Sequence, residues 1–161
     1  MKLSIRSVVS SVVCVGLFAA LTGAGFAATD PQVGTWKLNV AKSKFVPGPV
    51  PTTATTMIEA VGAGTKVVVD QTLADGKPSH WEFTTNYDGK DSPVTGSPDV
   101  DMVARTLVDP TTVETITKKN GKEISTQRSV VSKDGLTRTV TTKGLNAKGE
   151  QMNNVAVYDK Q

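Results

Sequence analysis

The single histidine of this 161-residue chain, His80, is the first residue to weigh as a catalyst. Nucleophilic hydrolysis needs a Ser beside a base, with a third group orienting that base. Here no Gly-x-Ser-x-Gly elbow occurs, and only Lys77 and Glu82 flank His80. In strand alternation His80 and Glu82 fall opposite Trp81, which places the imidazole on a solvated outer face, with a pH-sensitive edge residue as the alternative. Asp99 and Asp101, with Asp91 nearby, form an Asp-x-Asp pattern that can offer oxygens to calcium, but the twelve-residue loop grammar of a strong site is missing. A hydrated loop of turn formers explains them better. Gly62-Ala63-Gly64 is too short for a phosphate cradle and opens no helix, so it reads as a hairpin turn. No catalytic, metal or cofactor site is expected, and the chain reads as a non-enzyme.

The aromatic residues carry more information. Beyond residue 27 they are Trp36, Phe45, Trp81, Phe83, Tyr87 and Tyr158. Period-two spacing sets Trp81, Phe83 and Tyr87 along one strand face, and Trp36 on the apolar face of another. Pointing inward, they line either a cavity with an apolar wall and a few polar handles or a solid core of large side chains.

The elements that must position them are strands. Asp75-Gly76, Asp88-Gly89, Asn120-Gly121 and Asp134-Gly135 each separate short runs rich in Val, Thr and Ile, and Asx-Gly supplies the positive φ of tight hairpin turns. Strands are expected over 33–40, 55–61, 66–73, 79–87, 102–108, 112–118, 123–131, 136–142 and 152–158. Sequential hairpins argue for an all-β, antiparallel up-and-down barrel of about eight to ten strands over a sandwich, since closure removes the sheet's edges. Two segments are too long for tight turns. The first, 41–53, holds Pro47, Pro49 and Pro51 and is expected outside the sheet. The second is 88–101, with Pro93, Gly96 and Pro98. Loops of this length often act as lids or binding edges. Phe45 and Val46 are the apolar contacts of such a lid, unless the segment is a surface excursion.

Residues 1–27 read as a signal peptide. Lys2 and Arg6 precede an apolar run, and small residues Gly25 and Ala27 lead to cleavage near Ala27. The run falls short of a membrane span, so the domain 28–161 is expected to be periplasmic or secreted, with no stable span after cleavage. The leader removes two of the 18 basic residues, leaving sixteen against fifteen acidic ones, a net of +1. That balance leaves no footprint for nucleic acid or an anionic membrane. The only cysteine, Cys14, leaves with the leader, so about 130 residues must form one domain on an apolar core alone.

The run Val33-Gly34-Thr35-Trp36-Lys37-Leu38 resembles the opening of lipocalins and related calycin barrels, whose first strand carries Gly-x-Trp. Over essentially the whole domain the chain is similar to small exported lipocalin-like proteins of bacteria. The shared segments are Gly34 to Asn39, Lys42-Ser43-Lys44-Phe45, Asp75-Gly76-Lys77-Pro78, Tyr87-Asp88-Gly89-Lys90-Asp91 and Asn154-Val155-Ala156-Val157-Tyr158. The resemblance implies a barrel with Trp36 at its closed end, commonly beneath a late-strand arginine, for which Arg128 and Arg138 are the candidates. The chain departs from the lipocalins in having no helix after its last strand and no disulfide. The expected function is an exported barrel that sequesters or carries a small apolar or amphipathic molecule. Its expected wall is Trp36, Trp81, Phe83 and Tyr87, beneath Phe45, with Arg128 or Arg138 as an anionic anchor. The alternative is a protein-interaction module, such as a protease inhibitor or envelope-assembly factor, with a filled barrel. Last comes an isomerase or hydrolase using His80.

Overall fold

A computed structural model describes residues 30–146 and 148–161. The signal peptide and its cleavage point lie outside the described residues. Ten antiparallel strands follow one another around a closed up-and-down barrel: β1 Gly34–Leu38, β2 Thr53–Val61, β3 Gly64–Thr72, β4 Pro78–Thr85, β5 Asp88–Thr95, β6 Met102–Asp109, β7 Thr112–Lys119, β8 Lys122–Val131, β9 Thr137–Leu145 and β10 Gln151–Lys160. β1 closes the ring against β10, with Trp36 opposite Lys160 and Leu38 opposite Tyr158. Period-two alternation drives the burial. On β3, Thr65, Val67 and Val69 are buried while Asp70 is exposed, so each strand presents one face to the interior.

Three of the four Asx-Gly turns fall as expected. Asn120 and Gly121 both have positive φ, 50° and 73°, and join β7 to β8 as a two-residue hairpin. Gly76 and Gly135 take the left-handed positions of the longer β3–β4 and β8–β9 turns. Asp88-Gly89 does not turn the chain. The turn lies one pair earlier, at Asn86-Tyr87, with Tyr87 at φ 57°, and Asp88 opens β5, whose register with β6 shifts between Asp88 and Asp91. Positive φ is uncommon for so large a residue. Here the Tyr87 hydroxyl donates to Asp30 Oδ2 at 2.8 Å and its ring lies 4.8 Å from the Arg105 guanidinium.

The segment 88–101 is therefore not one long loop. It contains β5, which brings the strands to ten rather than nine. The strand is mostly exposed and shows no apolar alternation. It pairs with β4 only at Glu82–Thr95 and Phe83–Val94, so Pro93 sits where that pairing has lapsed and its missing N–H costs no ladder bond.

The connector 41–53 is also partly in the sheet. After a 3-10 turn at Val40–Lys42, Lys44 pairs with Val155 through two 2.7 Å backbone hydrogen bonds, and Asn153 N donates to Val46 O. Lys44 to Val46 thus extends the line of β1 along β10. The proline-rich stretch beyond it stays outside.

Four turns and the entering chain at Asp30 gather at one end of the barrel, and this end is packed solid. Trp36, Val113 and Gln32 are fully buried there, with Ile58 and Val131 almost so. The long β1–β2 connection crosses the opposite, open end.

Candidate functional site

Between the packed end and the open end lies a cavity of about 140 Å³, reached from the mouth beside Phe45. Its walls differ. Val67 and Val69 from β3, Trp81 and Phe83 from β4 and Val103 from β6 make an apolar side. Trp81 and Phe83, two residues apart and so on one face, stack with centroids 5.8 Å apart and planes 17° apart. The other side, from β7, β8 and β9, is hydroxyl and amide: Thr115, Thr117, Gln127 and Thr142. Phe45 reaches the cavity from the β1–β2 connection and packs against Leu38, Ala54, Val140 and Ala156. The Val46 side chain instead points outward and is exposed.

Two arginines line the same cavity. Arg138 on β9 donates from Nε to Ser129 Oγ at 2.8 Å, and its guanidinium lies 5.5 Å from the Tyr158 ring. Ser129 Oγ in turn donates to Gln32 Oε1, Gln32 Nε2 donates to Thr111 O, and Trp36 Nε1 donates to Gln32 O at 2.8 Å. A continuous polar chain therefore runs from the cavity to the packed end. Arg105 on β6 donates from Nη1 to Thr65 Oγ1 at 2.9 Å and lies over the rings of Phe83 and Tyr87.

Burial pushes the Arg138 guanidinium down to about 10, against the favourable field of Tyr158, and the Arg105 charge adds to the push. Burial lowers Arg105 too. A lowered folded-state value means that the unfolded chain holds the proton more tightly between about pH 10 and the ordinary arginine range. The burial of the charge on Arg138 therefore weighs against the fold, and stability rises with pH across that window. Tyr158 and Tyr87 are both raised, chiefly by burial.

Of the residues in the sequence reading, Trp81, Phe83, Phe45 and Arg138 meet around one space. The other residues of that reading lie elsewhere. Trp36 is sealed in the packed end, where the cation over its ring is Lys160, at 5.0 Å, and neither arginine. Tyr87 sits at the β4–β5 turn, bonded to Asp30, and is not among the residues that line the cavity. Arg128 faces outward and pairs with Glu114 at 2.7 Å, both half exposed, so it does not join the interior set. Replacing Arg128 by Gln should change stability by no more than about 0.5 kcal/mol in thermal melts, as expected of an exposed pair.

Arg105, Tyr158 and the hydroxyl wall were not singled out from the sequence. Arg105 carries no clear signal in the sequence, because Met102, Ala104 and Val108 give its strand apolar residues of the other parity as well. Outside the barrel, His80 Nδ1 sits 2.6 Å from Asp70 Oδ1 on an exposed face. Asp91 pairs with Lys118, and Asp101 Oδ2 accepts from Asn120 N of the β7–β8 turn.

The architecture is compatible with a calycin-like barrel. No protein-family model matches the chain, and no curated protein matches it significantly.

Proposed function

We propose that this protein is an exported binding barrel that sequesters or carries a small apolar or amphipathic molecule in the open half of its interior. The observation that carries the reading is the cavity of about 140 Å³ between the Trp81–Phe83 wall and the threonine wall. A chamber of about this size admits a benzene-sized ligand. Binding rather than catalysis is favoured because the one imidazole lies on the outer face, paired with Asp70, while the interior offers a wall, polar handles and a mouth. Export to the periplasm or the medium is supported by the sequence of residues 1–27. Covering roughly 150 Å² of apolar ligand surface at about 25 cal/mol per Å² supplies roughly 4 kcal/mol before entropic losses. Single-ring ligands should therefore bind no tighter than about millimolar on apolar burial alone.

Titration with toluene and benzyl alcohol tests this. Tryptophan emission should change saturably, and Trp81→Phe should remove the response, since Trp36 is sealed from the cavity. Constant emission, with no interior amide shift in NMR spectra for either compound, would rule the reading out.

A further inference from the structure

The interior charge is unbalanced, and the two arginines are not equivalent. Among the described residues every ion pair lies on the surface, and none includes Arg105 or Arg138. Yet these are the two most buried cations, 2% and 8% exposed. Arg105 has an acid behind it. The Tyr87 ring beneath its guanidinium is hydrogen-bonded through its hydroxyl to the Asp30 carboxylate, whose charge favours the protonated arginine. Arg138 has a hydroxyl at Nε, an aromatic ring and the repulsion of Arg105, but no carboxylate. A buried charge without a partner is strongly unfavourable, and a planar guanidinium forks onto a carboxylate better than onto any neutral group.

We propose that the ligand is a compact monocarboxylate with a single ring, its carboxylate received by Arg138 and its ring laid on the Trp81–Phe83 wall. This rests on the binding reading above and names its ligand class. One unmatched positive charge calls for one negative charge, and about 140 Å³ holds a ring with its carboxylate but not a long acyl chain.

Calorimetric titration with benzoate, its neutral analogue benzamide, the dianion phthalate and dodecanoate tests the assignment. Benzoate should bind about tenfold more tightly than benzamide and more tightly than phthalate or dodecanoate. Arg138→Gln should make benzoate and benzamide equal while leaving benzamide within about threefold of wild type, and Arg105→Gln should keep the preference for benzoate. Should Arg138→Gln fail to fold by circular dichroism, the guanidinium NMR signals of the wild-type protein serve instead. The Arg138 Nε–H resonance should move with benzoate and stay put with benzamide. Equal binding of benzoate and benzamide to wild type, or a still resonance, overturns the anionic assignment and leaves the cavity reading standing. Preference retained in Arg138→Gln but lost in Arg105→Gln overturns the choice of arginine. Tighter binding of phthalate overturns the single charge, and tighter dodecanoate overturns the compact ring. Silence of benzoate, benzamide and toluene together overturns the inference and the binding reading at once.

Discussion

Trp36→Ala should lower the unfolding free energy by roughly 3–5 kcal/mol, enough to leave much of the chain unfolded if the domain has the usual total of about 5–15 kcal/mol. The side chain is fully buried, and it is the largest member of a cluster with Ile58, Val67, Phe83, Val103 and Val131. Its removal empties the end of the barrel that is otherwise packed solid. It also deletes the Nε1 donor to Gln32 O, the link that holds residues 30–33 across the packed end. Gln32 in turn bonds Thr111 and Ser129, so the β6–β7 turn and β8 lose support together. Urea unfolding followed by circular dichroism should show a large fall in midpoint with an intermediate loss for Trp36→Phe, which keeps most of the volume and loses the donor. A Trp36→Ala midpoint close to wild type would mean that this end of the barrel does not anchor the fold.

Gly144→Ala should also be severe, for a different reason. Gly144 has φ +143°, outside the usual range of a residue with a Cβ. An added Cβ would collide with the carbonyl oxygen of Ile124 and lie 2.5 Å from Ser125 Cα and 2.6 Å from Ser125 Cβ. None of these atoms can move without shifting the β8 backbone, and Gly144 also pairs with Met152 across β10. We expect a loss of roughly 2–4 kcal/mol, with the β8–β9–β10 amides near the mouth exchanging fastest. Gly121→Ala is the control. Its φ is +73°, but a Cβ there meets nothing within 4 Å, so only the conformational penalty of about 1 kcal/mol should appear. Equal effects at the two positions would remove the close approach of β9 to β8 as the cause.

Gly144 also shows where reading in one dimension stops. In the sequence it opens a loop, because glycine beside Leu145-Asn146 is ordinary turn composition. In the barrel it is a strand residue, because a neighbouring strand comes so close that no side chain fits. β5 was hidden for a related reason. Its faces are mostly wet, so it lacks the apolar alternation by which strands are recognised. Tyr87 misled in the opposite sense, because parity continued β4 through it while its contacts to Asp30 and Arg105 bent the chain one residue pair early.

Local chemistry in the chain was enough for the all-β class, the antiparallel meander, the hairpins at Asn120-Gly121 and Asp134-Gly135, and the inward direction of Trp36, Trp81 and Phe83. Each of these follows from φ preferences and period-two alternation, which act between near neighbours. Which arginine enters the barrel was beyond that reach. Val130 and Val131 give β8 apolar residues of both parities, so Arg128 and Arg138 looked alike until the register of β8 with β9 turned one outward and the other inward. The hollow beside Arg138, and the lack of any carboxylate facing it among the described residues, arise only when ten strands close on one another. They depend on distances between residues that the chain keeps far apart.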